Sequence, residues 1–352
     1  MRTIDRRTFS QVITAGAAAV AVPLGTAAEA TAATSPGDRP AAARPELLPS
    51  ADIAFGTLKR LDAGELEIAY VEAGPPNGPV AVLLHGFPYD VRSFSAVTPL
   101  LADAGYRVIV PYLRGHGPTR FRSDRTFRNA QQAVIALDIV ALLDALRIRR
   151  AVLAGFDWGS RTADIIAALW PERCTALVSV SGYLVTNRAA NASPLPPAAE
   201  LAWWYQYYFA TERGELGLTE YTHDFAKLIW TNVSPTWHFD DATFERTAAS
   251  FTNPDWVPVV IHNYRWRLGL AAGDPRYDRL EKRLADRPKI ARPTIALDAA
   301  ADPFTTAPGD GSAYRDRFTG PYAHRRLAGI GHNVPQEAPA AFAQAVLDVT
   351  AL

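Results

Sequence analysis

The chain has 352 residues, 48% hydrophobic and 20% charged, with 36 Lys plus Arg balanced by 36 Asp plus Glu. That length holds one large domain with an insertion or two ordinary domains. Zero net charge leaves no basic field for nucleic acid or an anionic membrane surface, so neither is expected as a partner. The one cysteine, Cys174, excludes an internal disulfide and is expected at the start of a buried strand.

Residues 1–30 read as a targeting segment. Arg6-Arg7-Thr8-Phe9 precedes a mildly apolar run over 12–25 and the small residues of Ala28-Glu29-Ala30. This resembles a twin-arginine signal and implies export of a folded protein, secreted or periplasmic, although Asp5 and Gln11 depart from the usual pattern. The run is too short and too weakly apolar to span a bilayer. Residues 31–50, rich in Ala, Pro, Ser and Gly, read as a linker.

A folded core is expected over 51–182 and 289–352. Segments 55–61 and 65–72 alternate around Asp62-Ala63-Gly64, a hairpin signal. Residues 80–84 form a continuous apolar strand ending in His85-Gly86-Phe87-Pro88. Residues 92–104 read as a helix and 107–110 as a strand. Arg114-Gly115-His116-Gly117 falls in a long polar loop. Helical periodicity runs over 129–146. The strand 151–154 then leads through Gly155-Phe156-Asp157-Trp158-Gly159 into a helix over 160–170, and 176–180 is a further strand. This alternation predicts an α/β fold with a mostly parallel sheet and helices on both faces. From 183 to 288 no strand of that kind recurs, and Trp and Tyr are dense. The region reads as an inserted helical lid. Strands at 293–297 and 322–328 and a helix at 339–349 complete the core.

The turn at 155–159 has the form of a nucleophile elbow, in which small residues flank a strained central residue held at a helix N-terminus. The central residue is Asp157. A carboxylate suits displacement at a saturated carbon and leaves an ester. Clearing that ester needs a histidine, an orienting acid and an oxyanion hole. His332, between glycines after the last strand, is the candidate base. Asp302, in the loop past the strand at 294–297, is favoured as the acid, with Asp298 at the strand end as the alternative. The backbone amides of Phe87 and Trp158 are the candidate oxyanion donors. No metal-ligand spacing occurs, and no cofactor is implied.

With these residues placed, the chain resembles the α/β-hydrolase superfamily from about residue 53 onward, in its branch with an Asp nucleophile. His85-Gly86-Phe87-Pro88 looks like the HGxP motif of epoxide hydrolases. That family carries two lid tyrosines that protonate the epoxide oxygen. Tyr205-Gln206-Tyr207-Tyr208-Phe209 and Asn263-Tyr264-Arg265-Trp266 resemble the strings that hold them. The resemblance implies Tyr205 and Tyr264, with Tyr207 or Tyr208 as alternatives to the first. It implies hydrolysis of an epoxide, on a small apolar or aromatic substrate, with a haloalkane or haloacetate dehalogenase as the alternative. Trp158 fits the halide position of haloalkane dehalogenases. Arg161 matches one of two arginines that hold the carboxylate in fluoroacetate dehalogenases, but is expected on the helix surface or in an interdomain ion pair. A non-catalytic protein that keeps the fold and binds a small ligand is the third possibility.

Overall fold

The computed structural model describes residues 55–305 and 309–352. The export segment and the linker expected over 1–50 lie outside the described residues. The strands are β1 (Thr57–Ala63), β2 (Leu66–Ala73), β3 (Val80–Leu84), β4 (Arg107–Pro111), β5 (Arg120–Phe121), β6 (Ala151–Gly155), β7 (Cys174–Val180), β8 (Thr294–Ala299) and β9 (Tyr322–Leu327). They form one sheet in the order β1-β2-β4-β3-β6-β7-β8-β9, with β5 also paired to β2. Pairings of β2 are antiparallel, and all pairings from β4 to β9 are parallel. The central strands read as unbroken apolar runs because both of their faces are covered. Ala81–Leu84, Val108–Val110 and Val152–Ala154 are buried throughout.

Three local expectations shift for identifiable reasons. The first hairpin turns at Gly64-Glu65, since Ala63 pairs with Leu66 and Gly64 supplies the positive φ of 59°. The expected helix over 92–104 divides into a 3-10 turn, Val91–Phe94, and α1 (Val97–Asp103). Pro99, in the first turn of α1, has no N–H for the carbonyl of Ser95, so the helix cannot extend back through that residue. Helix α2 (Gln132–Ala145) starts three residues after Asn129. The Asn129 side chain accepts from the Gln131 amide at 2.9 Å and closes a turn instead.

The polar loop that holds Arg114 and His116 is buried at both side chains. Arg114 is 1% exposed and forks onto the carboxylate of Asp138 on α2, with both N–O distances 2.7 Å. His116 is fully buried. Cys174 opens β7 and is buried, and burial pushes its thiol up to about 12.

Helix α3 (Trp158–Leu169) follows β6 and packs beside α2. Between β7 and β8 lie only helices: α4 (Pro197–Ala202), α5 (Trp204–Phe209), α6 (Glu212–Glu220), α7 (Thr222–Val233), α8 (Asp241–Ala248), α9 (Trp256–Arg267) and α10 (Asp278–Ala285). Buried Asp90, after β3, holds this insertion by accepting from Thr247 at 3.1 Å and Ser250 at 2.6 Å. The indole of Trp230 donates to the Pro88 carbonyl at 2.8 Å. Both anchors fall beside the loop that ends β3. Helices α11 (Val334–Glu337) and α12 (Pro339–Asp348) end the chain, α12 against α1. Among the described residues no helix is long and apolar enough to cross a membrane.

Candidate active site

The elbow is built by close backbone approach. Asp157 sits at φ 52°, ψ −122°, between β6 and α3. Such a conformation in a non-glycine residue costs on the order of 1–3 kcal/mol and persists only when the surroundings enforce it. They do so here. A side chain at Gly159 would overlap the Leu84 carbonyl, and one at Gly86 would overlap Asp157 itself. The strand-end loop and the elbow are thus pressed together, and the amide of Phe87 donates to Asp157 Oδ1 at 2.8 Å. Trp158 is the first residue of α3, so its amide has no partner within the helix.

His85 locks this loop. Its Nδ1 lies 3.0 Å from the Gly86 carbonyl, and its Nε2 accepts from the Leu113 amide at 3.1 Å. Burial lowers its pKa to about 4, so the ring is a neutral brace. The sequence marked His85 only as part of a motif. The imidazole of His116, 4.9 Å away, is likewise kept neutral by burial.

His332 follows β9 and reaches the elbow from the opposite side. Its Nε2 lies 3.6 Å from Asp157 Oδ2, and its Nδ1 lies 2.7 Å from Asp302 Oδ2. Asp298 is engaged elsewhere, with Tyr314 at 2.8 Å and His324 at 3.0 Å, so of the two candidate acids the structure brings Asp302 to the histidine. Burial works against the imidazolium, but Asp302 and Asp157 outweigh it and hold the His332 pKa above its ordinary value. Burial also opposes the charge on Asp157. His332, Arg161 and the Phe87 amide prevail, and the carboxyl stays below its usual range.

The lid supplies the third side. Tyr205 on α5 and Tyr264 on α9 are buried, with rings 5.4 Å apart and edge to face. Both rings contact Phe87, at 6.1 and 5.4 Å. Burial raises both phenols above their ordinary value, reinforced at Tyr205 by Tyr264 and then Asp157 and at Tyr264 by Asp157, so both remain protonated at neutral pH. Tyr207 is instead exposed and bonded to Glu200, and Tyr208 stacks on Phe225. Trp256 and Phe304, which the sequence did not single out, complete the wall. Trp256 stacks on Phe87 at 5.7 Å, and Phe304 meets the His332 ring at 5.4 Å.

Arg161 differs from expectation. It is 5% exposed, its Nε donates to the Leu184 carbonyl at 3.1 Å, and no acidic side chain among the described residues pairs with it. The first segment of the lid folds back over α3, where Asp164 also accepts from the Leu184 amide, and this covers a face that would otherwise be surface. Burial and the nearby Arg267 lower the guanidinium to about 10, which leaves it charged. Among the described residues no group of His, Cys, Asp and Glu is arranged to hold a metal ion.

Comparison with known proteins follows the same lines. Residues 79–335 match the alpha/beta hydrolase fold. Epoxide hydrolase B of Mycobacterium tuberculosis is 34% identical over 159 residues, 41% of this chain and 44% of that protein. The chain therefore spans less than half the length of that relative. A haloalkane dehalogenase of Mycobacterium marinum is 33% identical over 154 residues, 40% of this chain and 50% of that one. A crystal structure from Klebsiella pneumoniae, provisionally assigned as an epoxide hydrolase, is 56% identical with a TM-score of 0.83 and covers 86% of this chain and 100% of its own. The elbow, the strand order and these matches agree: the chain belongs to the α/β-hydrolase fold family.

Proposed function

We propose that the protein hydrolyses an epoxide to a vicinal diol through an ester on Asp157. The observation that carries this reading is the convergence of two protonated phenols, Tyr205 and Tyr264, on the wall that holds an ionised Asp157. Asp157 Oδ2 attacks an epoxide carbon, the ring C–O bond breaks, and the oxygen takes a proton from the phenols. Oδ1, already bonded to the Phe87 amide, becomes the ester carbonyl. Esterification removes one of the two charges that hold the His332 proton, and that proton restores the phenols. Water then attacks the ester carbon and gives one proton to His332. The oxyanion forms on Oδ1, facing the Phe87 and Trp158 amides. Collapse releases the diol, which carries away the second water proton, and regenerates the Asp157 carboxylate. The aromatic walls suit a small apolar or aromatic substrate.

A single turnover in 18O-labelled water tests the route. The label should appear in Asp157 and be absent from the first equivalent of diol. Label found only in the diol would exclude the ester. Dehalogenation is a second reading, favoured by two observations. The buried indole N–H of Trp158 has no hydrogen-bond acceptor, and the buried Arg161 has no acid partner among the described residues. Halide release from haloalkanes or haloacetates, without diol from epoxides, would decide for it. Export belongs to the same proposal and rests on Arg6-Arg7 and the run after it. Replacing both by Lys should retain the protein in the cytoplasm, and unchanged export would refute it.

A further inference from the structure

The backbone around His332 is gripped from the lid and from α11 together. The Gly331 amide donates to Glu337 Oε2 at 2.6 Å and the Asn333 amide to Glu337 Oε1 at 3.1 Å. The amide between them, that of His332, donates outward, to the Val233 carbonyl and to Ser234 Oγ, both at 3.1 Å. Val233 and Ser234 end lid helix α7. The Ser234 hydroxyl in turn donates to Glu337 Oε1 at 2.7 Å, so its single proton and a lone pair are both used. Gly331 permits this contact, because a Cβ there would lie 2.6 Å from Ser234 Cα and 2.9 Å from Glu337 Oε1. Thr236 extends the grip with a 2.9 Å bond to the Gly329 carbonyl.

We infer that Ser234 and Glu337 form a brace through which the lid sets the position of His332, which makes both positioning residues for hydrolysis of the ester. The core fixes the ring through Asp302 on Nδ1 and, through Glu337 on α11, the backbone on either side of His332. The lid fixes the His332 amide itself, and Nε2 stands 3.6 Å from Asp157, just beyond hydrogen-bond reach. A displacement of the α7 terminus therefore changes the distance on which base catalysis depends. The inference rests on the proposed ester route for its catalytic consequence.

The test is rapid-quench intact-mass analysis of the full chain with styrene oxide as probe, on Ser234→Ala, Glu337→Gln and Ser234→Thr. Ester formation should stay within about twofold of native in all three, because Asp157 and the phenols are untouched. Ester hydrolysis should slow by about tenfold to a hundredfold in the first two, so that the adduct accumulates, and Ser234→Thr should restore it. Native hydrolysis rates in Ser234→Ala and Glu337→Gln, or an equal fall in both half-reactions, would overturn the brace. A second readout does not need the reaction. The downfield proton resonance of His332 Nδ1–H should shift or broaden in Ser234→Ala and Glu337→Gln and persist in Ser234→Thr. An unchanged resonance overturns the brace even if no ester ever forms. Absence of ester in the native protein refutes the proposed route alone.

Discussion

Asp157 is approached from two sides that hold their groups by different means. On the core side, position is set by backbone. Gly86 and Gly159 allow main-chain contacts that leave Asp157 one conformation, and the Phe87 amide is fixed with it. On the lid side, position is set by side-chain packing. Tyr205 and Tyr264 come from helices whose residues are 59 positions apart in number, and they are held by Phe87, Phe209 and each other. Backbone contacts tolerate almost no substitution. Packed aromatic surfaces can be recut while backbone contacts are kept, so in the proposed reaction the lid is where substrate choice is free to vary.

The contrast is sharpest at Asp157, the proposed nucleophile. Asp157→Asn should lower turnover by about 10⁴-fold or more, with no ester adduct by intact mass. In the proposed route the two phenols share one task, so the lid should show redundancy that the core does not. Tyr205→Phe or Tyr264→Phe alone should cost about tenfold to a hundredfold in kcat, and the double variant at least about 10³-fold with styrene oxide. Equal effects of the single and double variants would mean that one phenol alone is the acid. Stability should follow the same division. Gly159→Ala, which meets the Leu84 carbonyl, should cost more than about 3 kcal/mol in urea unfolding. Asp90→Asn, which weakens a lid anchor, should cost about 1–3 kcal/mol.

The smallest expected effect is in pH dependence. The folded pKa of His332 is raised, so the stability it contributes is fully present below its unfolded value near 6.5 and is lost as pH rises through the folded value, about 10. The native protein should therefore weaken over that interval more than His332→Gln does, as read from Tm across a pH series. Parallel curves would refute the coupling.

How far the sequence revealed this arrangement follows from the same division. Asp157 and the His-Gly-Phe-Pro turn are local patterns that need only adjacent residues to be seen, and β6 with its flanking turn lies where the apolar run puts it. The helix division just before Pro99 was also visible in principle, because the missing amide is a property of that one residue. The fate of Arg161 was not. Its burial depends on the Leu184 peptide folding back from the other end of β7, and nothing within one helix turn announces that. The same holds for Arg114, whose partner Asp138 lies on α2. Among the lid tyrosines, six-residue α5 is too short for a periodic signal, and only packing separates buried Tyr205 from exposed Tyr207. Ser234 and Glu337 left no trace either, since each looks ordinary until the α7 terminus meets the loop at His332.

One plain feature makes the lid open to direct observation. Cys174 is the chain's one cysteine, and it is shut inside β7 with its thiol held protonated far above neutral pH. A cysteine introduced at Leu201, 72% exposed on α4, would carry a maleimide dye with no competing label. The native background is already silent. Any movement of α4 during turnover could then be timed against the proposed ester in the same cuvette.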